Sequence, residues 1–171
     1  KMIRNKSSIL YNIISIDDLK GRVEEDPNKY FYDVIFLGRL AYPKNPERLI
    51  RVLRLVAQRI PNIRIAIVGT GPLESDIAQL IEEYNLKSNI ELLGFRNNPY
   101  RILHDSKVML MTSRWEGLPM CALEAMALGV PIVSTPTDGL KELIESGMTG
   151  YLSDDDITLA EAICKVIGDE R

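Results

Sequence analysis

The chain has 171 residues, of which 46% are hydrophobic and 26% charged, and its formal net charge at pH 7 is −3. This composition is typical of a globular protein with a hydrophobic core of its own and differs from that of a disordered chain. Because 24 acidic side chains outnumber 21 basic ones, the chain has no basic surplus of the kind that nucleic-acid binding requires, and we predict no nucleic-acid partner. No apolar run approaches the ~18 residues of a membrane-spanning helix.

From residue 32 onward, short apolar runs alternate with helical patterns of apolar residues. The predicted strands cover residues 32–37, 63–68, 90–93, 108–111, 131–134 and 151–152. The predicted helices cover residues 46–60, 72–84, 99–104, 119–128, 140–146 and 157–167. Strands that are apolar on both faces and alternate with helices favour a parallel sheet covered on both sides. We therefore predict an α/β fold, a doubly wound and Rossmann-like domain over residues 32–171.

The first 31 residues are less regular than the rest of the chain. Residues 8–14 could form a strand that enters the domain. Residues 21–30 are polar and are predicted to form a loop.

Sheets of this type bind ligands beyond the carboxyl ends of their strands, and several informative residues lie there. Gly38 and Arg39 follow the first predicted strand, and Lys44 comes five residues after Arg39. A glycine lets a ligand approach the backbone, and two cations suit a diphosphate; an ordinary solvated loop is the alternative. Gly69 and Gly71 follow the second strand, where a tight turn into the next helix is the favoured interpretation.

The segment over residues 113–129 reads SRWEGLPMCALEAMALG. Pro119 is predicted at the first helical position, and Gly117 makes the turn that leads into it. Unpaired backbone amides would then point out of the start of the helix and, with the helix dipole, form a site for a phosphate. These amides belong to Leu118, Met120 and Cys121.

Two carboxylates frame this helix start. Glu116 precedes the helix and Glu124 lies within it, so that one could hold a ribose and the other a hexose at the two ends of one ligand. The alternative is that Glu116 caps the first turn and Glu124 is solvated. A lone carboxylate in an otherwise apolar helix is, however, expected to have a partner.

Three further features are interpreted as structural. The Asp-x-Asp pattern of Asp154 and Asp156 resembles a metal-binding motif, but it directly precedes the last predicted helix, where aspartate is a favoured cap. His104 is predicted to be structural or on the surface. Trp115 is predicted to pack against neighbouring residues, with a role as a sugar platform left open.

Taken together, the motifs resemble those of glycosyltransferase family 4, the group 1 family of retaining GT-B enzymes, which carries an E-x7-E signature. The resemblance covers about residues 9–167 in the family's order and spacing. It departs from the family at Asp138-Gly139, where paired glycines are common, and at Leu140-Lys141. The matching positions are Gly38-Arg39-Leu40, Lys44-Asn45, Gly69-x-Gly71-Pro72, Leu93-Gly94-Phe95, Ser113, Glu116-Gly117, Pro119, Glu124-Ala125, Ala127, Gly129, Pro131, Gly139 and Glu142.

The resemblance implies roles for individual residues. Arg39 and Lys44 would bind the pyrophosphate of a nucleotide-sugar donor, and Glu124 would bind its ribose. Glu116 would contact the transferred sugar and is the candidate catalytic residue, through electrostatic help to an oxocarbenium-like centre. No metal and no cofactor would be needed beside the nucleotide-sugar co-substrate, because cations and helix amides meet the phosphates. The other implied donor-binding positions are Gly38, Gly71, Phe95 and Arg96 (the last two beside the nucleobase), Gly117, Leu118 and Met120.

The resemblance also implies that the chain is the C-terminal, donor-binding half of a GT-B fold. Residues 1–31 would be a segment entering from a missing N-terminal domain, which would hold a glycan or lipid-linked acceptor, and the isolated domain would be inactive. A cytoplasmic location is expected, with peripheral association at the inner membrane face as an option for the full-length enzyme. The alternatives are a non-catalytic nucleotide-sugar-binding module and a sugar-nucleotide epimerase of similar fold.

Overall fold

The computed structural model describes residues 12–168 of the chain. The strands are β1 (Val34–Leu37), β2 (Ile65–Val68), β3 (Ile90–Gly94), β4 (Val108–Met111), β5 (Ile132–Ser134) and β6 (Gly150–Leu152). The helices are α1 (Ile16–Glu24), α2 (Pro46–Arg59), α3 (Glu74–Glu83), α4 (Tyr100–His104), α5 (Met120–Ala127), α6 (Asp138–Leu143) and α7 (Asp156–Gly168), with a 3-10 turn at Tyr42–Lys44. Within the described range, no helix is long and apolar enough to span a membrane.

The six strands form one parallel sheet in the order β3-β2-β1-β4-β5-β6. Alternate side chains of β1 point into two separate apolar layers. Val34 and Phe36 lie in the layer built with α2, α3 and α7, whereas Ile35 lies in the layer built with α4, α5 and α6. Helices therefore cover both faces of the sheet, which confirms the predicted doubly wound, Rossmann-like α/β fold.

The N-terminal part of the described chain differs from the sequence prediction. Residues 12–14 form no strand, and the rest of the strand predicted over residues 8–14 lies outside the described residues. Residues 21–24, predicted as loop, are the second half of α1. The hydroxyl of Ser15 accepts a hydrogen bond from the amide of Asp18 and caps this helix, while Leu19 and Val23 are buried against the domain. The helix packs on α4 and α5.

The start of α6 also differs from the prediction. The helix runs over Asp138–Leu143 instead of residues 140–146, because the extended Thr137 initiates it and the extended, buried Ile144 ends it.

The loops at the carboxyl ends of β1 and β2 are joined backbone to backbone. The Gly38 amide donates to the Val68 carbonyl, the Leu40 amide to Thr70, and the Leu73 amide back to Leu40, each at 3.0 Å. A Cβ atom on Gly71 would lie 2.2 Å from the Leu40 carbonyl oxygen, so no other residue fits there without a backbone shift. This supports the interpretation of the Gly69–Gly71 segment as a tight turn.

Because the Gly71 backbone abuts another backbone segment, we expect Gly71→Ala to lower the free energy of unfolding by about 1–3 kcal/mol, the usual cost of overpacking. Gly21→Ala is the matched control, because a Cβ atom there has no neighbour within 4 Å and Gly21 lies inside α1. This control should raise the free energy of unfolding by about 0.5–1 kcal/mol. Urea denaturation measures both, and equal stability of the Gly71→Ala and wild-type proteins would contradict the close approach.

Candidate functional site

An ion pair lies where the loops after β1 and β4 meet. Lys44 closes the 3-10 turn after β1, and Glu116 lies in the loop between β4 and α5. The Lys44 Nζ and Glu116 Oε1 atoms are 2.5 Å apart, and their side chains are only 22% and 13% exposed. The Ser113 hydroxyl also donates to Glu116 Oε1, at 2.7 Å. Two predicted functional residues that are 72 positions apart in sequence are thus in direct contact.

Further hydrogen bonds fix the two loops relative to each other. The Thr112 hydroxyl lies within hydrogen-bond distance of the carbonyl oxygens of Lys44 and Asn45, at 3.2 and 3.1 Å. The Arg114 amide donates to the Pro43 carbonyl at 2.8 Å, and its guanidinium donates to the Asn45 side chain at 3.0 Å. The ion pair is therefore held by a cross-linked backbone and not only by two flexible side chains.

Beside this pair, a cavity of about 640 Å³ opens at the carboxyl ends of β1, β2 and β3. Arg39 is exposed, and its guanidinium makes no hydrogen bond or ion pair with another described residue, although its carbonyl accepts from the Ala41 amide at 2.9 Å. Phe95 presents an aromatic ring to solvent, with 74% of the residue exposed. The structure thus brings five of the predicted site residues to one cavity wall: Gly38, Arg39, Gly71, Phe95 and Arg96.

Glu124 has the partner that its apolar helix led us to expect. The Tyr100 hydroxyl at the start of α4 donates to Glu124 Oε1 at 3.0 Å. Burial raises the pKa of Tyr100, and the hydrogen bond to Glu124 raises it further, so the phenol stays a neutral donor at physiological pH. The sequence indicated that a partner exists, but nothing in its local pattern singled out Tyr100.

The start of α5 differs by one residue from the prediction. Pro119 is extended (φ −72°, ψ 121°) and directly precedes the helix, so it is not the first helical residue. Its carbonyl accepts from the amides of Ala122 and Leu123, at 3.1 and 3.4 Å. The amides of Met120 and Cys121 make no hydrogen bond with a described backbone carbonyl and remain available at the helix start. Leu118 lies before the helix, where its carbonyl accepts from Asn12 at 3.1 Å.

Burial raises the pKa of the Cys121 thiol to about 11. Burial therefore favours the neutral form of the Cys121 thiol at physiological pH.

The Asp-x-Asp pattern lies at the start of α7 as predicted, but the residue that caps the helix is Asp155, between the two aspartates of the pattern. Asp155 Oδ1 accepts from the Thr158 amide at 2.8 Å and caps the helix. Asp154 and Asp156 accept from the guanidinium of Arg48, at 2.7 and 2.6 Å. In the part of the chain that the structure describes, no cluster of three or more His, Cys, Asp or Glu residues could hold a metal ion.

The two remaining residues singled out in the sequence have ordinary contacts. Trp115 packs on Tyr42 with ring centroids 5.7 Å apart, although 56% of Trp115 is exposed. His104 Nδ1 lies 2.9 Å from Asp105 Oδ1 on the surface. The surface position of His104 is confirmed, whereas Trp115 packs on one neighbour and keeps more than half of its surface exposed.

The doubly wound sheet, with its cations and carboxylates gathered at the carboxyl edge, defines a Rossmann-like domain of the kind found in GT-B glycosyltransferases. Residues 18–171 match the family described as glycosyl transferases group 1. The chain therefore belongs to the group 1 glycosyltransferase family.

Relatives in this family are longer than the chain. An uncharacterized glycosyltransferase of Methanocaldococcus jannaschii is 34% identical over 142 residues, which are 79% of this chain and 35% of that protein. The N-acetylgalactosamine-N,N'-diacetylbacillosaminyl-diphospho-undecaprenol 4-alpha-N-acetylgalactosaminyltransferase of Campylobacter jejuni is 31% identical over 148 residues, 86% of this chain and 40% of that protein. The chain thus spans between about a third and two fifths of the length of these relatives.

Solved structures of glycosyltransferases share the fold. HepE of Anabaena in complex with UDP-glucose has a TM-score of 0.72 and 26% identity, covering 90% of this chain and 43% of that one. A mutant of S. aureus TarM in complex with Fondaparinux, alpha-GlcNAc-glycerol and UDP has a TM-score of 0.78 and 28% identity, covering 84% of this chain and 30% of that one.

The partial burial of the Lys44–Glu116 pair predicts a measurable effect on stability. Lys44→Met leaves Glu116 mostly buried without its cation, and we expect the free energy of unfolding to fall by about 1–3 kcal/mol. The Lys87–Glu82 pair is the matched control, because it has the same 2.5 Å separation but both side chains are 67% exposed. Lys87→Met should change stability by less than about 0.5 kcal/mol.

Chemical denaturation of both variants tests this difference. A stabilising effect of Lys44→Met would mean that the pair is strained in the ligand-free protein, and equal effects of the two variants would mean that burial is irrelevant.

Proposed function

We propose that this chain is the donor-binding domain of a retaining glycosyltransferase that transfers a sugar from a nucleotide-sugar to a glycan or lipid-linked acceptor. The observation that carries the proposal is the order of groups along the carboxyl edge of the sheet. Phe95 on the cavity wall, the exposed guanidinium of Arg39 and the half-buried Lys44–Glu116 pair follow one another there. A nucleotide-sugar presents a base, a diphosphate and a hexose in the same order.

The cavity suits the nucleoside part of such a ligand. Its volume lies within the range of small-molecule sites, and its wall holds the exposed ring of Phe95 together with Arg96. We assign the nucleobase to this wall. Glu124, fixed by Tyr100, is assigned to the ribose hydroxyls, which donate hydrogen bonds to a carboxylate.

The diphosphate is assigned to the cations and to the start of α5. Arg39 has all its donors available, and a guanidinium binds phosphate oxygens in pairs. The Lys44 ammonium carries three donors, so it can bind a phosphate oxygen while it keeps Glu116 as a neighbour. The available amides of Met120 and Cys121 add the positive end of a helix dipole. Together these groups would stabilise the charge that develops on the departing diphosphate.

Glu116 is the candidate catalytic residue in this proposal. Positive charge grows at the anomeric carbon as the bond to the diphosphate breaks, and a carboxylate held nearby stabilises this charge more in the transition state than in the bound donor. Ser113 and Lys44 hold one carboxylate oxygen, Oε1, in place. Retention of the anomeric configuration rests on the resemblance to family 4.

The acceptor is assigned to a second domain outside this chain, from which residues 1–31 would enter. The name of the Campylobacter relative contains a diphospho-undecaprenol, which supports a lipid-linked acceptor and work at the inner membrane face. The chain alone would bind the donor but turn it over poorly, because a single domain cannot position both substrates. Sugar transfer by the full-length protein would distinguish this function from that of a non-catalytic binding module.

A thermal-shift panel tests donor binding directly. UDP, GDP, ADP and their sugar conjugates are added to the chain without metal. The nucleotides that carry one of the three bases should raise the free energy of unfolding by about 2.7 kcal/mol at one hundred times their dissociation constant. Arg39→Ala should remove most of the shift, because a charged hydrogen bond contributes about 1.5–3 kcal/mol. Arg59→Ala is the control, since Arg59 pairs with Glu161 on the surface. Binding that requires manganese or magnesium would contradict the assignment of the phosphates.

The two glutamates should contact different parts of the ligand. Glu124→Gln should weaken the bare nucleoside diphosphate and the nucleotide-sugar alike, because both carry the ribose. Glu116→Gln should weaken only the nucleotide-sugar, and in the full-length enzyme it should lower kcat more than it raises KM. Calorimetry measures the affinity of each variant for the two ligands. An equal loss of affinity for the bare nucleoside diphosphate in both variants would refute the assignment of the two glutamates to different parts of the ligand.

A further inference from the structure

Tyr100 lies at the edge of the proposed donor site but belongs to none of the motifs described above. It is the first residue of α4, and its hydroxyl reaches across to α5 to donate to Glu124 Oε1 at 3.0 Å. Its backbone amide is held by the Asn98 side chain at 3.3 Å. The contact between Tyr100 and Glu124 is a tertiary one between two helices, 24 residues apart in sequence.

The Tyr100 ring is itself fixed from the N-terminal side of the domain. The guanidinium of Arg22, on α1, lies 4.6 Å from the ring centroid. Arg22 also donates to the Asn97 carbonyl at 3.1 Å, and its own carbonyl accepts from the Asn98 side chain at 2.7 Å. These contacts join α1 to the turn that starts α4, so the aromatic ring is held by a cation on one side and by its own helix start.

We propose that Tyr100 is a positioning residue that holds Glu124 ready for a vicinal diol, the 2′- and 3′-hydroxyls of a ribose; this inference rests on the proposed function. A glutamate side chain has several rotatable bonds and loses conformational entropy when a ligand fixes it. A hydrogen bond that fixes the carboxylate beforehand removes part of that loss from the binding step.

The chemistry of the pair suits this role. An ionised carboxylate has about four lone-pair positions on two oxygens, so one donor from Tyr100 leaves room for two hydroxyl donors. A phenol donates without carrying charge, and it therefore orients Glu124 without neutralising it, unlike the ammonium that faces Glu116. The two glutamates of the site are thus held by different means, one by a neutral donor and one by a cation.

The chain offers a matched control for Tyr100. Tyr84, at the end of α3, also carries a guanidinium over its ring, with Arg54 at 4.4 Å from the centroid. The Tyr84 hydroxyl makes no hydrogen bond with a described residue, and Tyr84 lies away from the proposed donor site. Tyr84→Phe therefore tests the loss of a hydroxyl beside an arginine without any link to Glu124.

The experiment is calorimetry with UDP and with 2′,3′-dideoxy-UDP. Tyr100→Phe should weaken UDP by about 3- to 10-fold, the scale of one hydrogen bond, and should change the dideoxy ligand by less than about twofold. Tyr84→Phe should change neither. Adding Tyr100→Phe to Glu124→Gln should cause little further loss of affinity for UDP, because the two residues act as one unit.

A second variant keeps the hydroxyl but loosens the ring. Arg22→Met should weaken UDP by less than Tyr100→Phe and should again spare the dideoxy ligand.

Three results would overturn the inference. If Tyr100→Phe weakens the binding of both ligands equally, Tyr100 shapes the whole site. If Tyr100→Phe leaves UDP binding unchanged, Glu124 needs no positioning. Additive losses in the double variant would mean that the two residues act separately. If GDP or ADP is the ligand that binds, the same comparison uses its own dideoxy analogue. Failure of UDP, GDP and ADP to bind the unaltered chain would instead overturn the proposed function itself.

Discussion

The placement of β1 beside β4 is the constraint on which the site depends. The two strands pair in parallel, with Val34 opposite Val108, so the loops that follow them leave the sheet at the same edge. The chain then turns toward β2 on one side and β5 on the other, so the strand order reverses between β1 and β4, where sheets of this type form a crevice. Lys44 and Glu116 meet in this crevice, and their pairing follows from topology before any ligand is considered.

Close backbone packing makes this edge rigid enough to hold functional side chains. A Cβ atom on Gly71 would strike the Leu40 carbonyl at 2.2 Å, and one on Gly139 would strike the Gly117 carbonyl at 1.3 Å. The second contact ties the start of α6 to the loop that carries Glu116. It also explains why the departure from paired glycines is tolerated: the Asp138 side chain is 97% exposed, so only Gly139 needs to lack a side chain.

The sequence predicted those features that depend on local patterns. Strands with two apolar faces and helices with apolar stripes identified the doubly wound fold, and glycines and charges after the strands identified the edge where the site lies. The pattern failed at α1, because only Leu19 and Val23 are buried in it and Gly21 interrupts its middle. The hydrogen bond between Tyr100 and Glu124 could not be predicted from local sequence patterns, because it depends on how α4 and α5 pack across one face of the sheet.

The position of α1 links the segment proposed to enter from a second domain with the proposed donor site. Asn12 donates to the Leu118 carbonyl in the loop before α5, and Arg22 lies over the ring of Tyr100, which in turn holds Glu124. Both contacts reach residues directly beside the groups that we assign to the donor. A shift of this segment would therefore change the placement of the loop and of Glu124 together, because packed contacts transmit displacement over such short distances. The cavity itself is lined by residues at the ends of β1, β2 and β3, and α1 acts on the proposed donor site from outside this lining, through its contact with Tyr100.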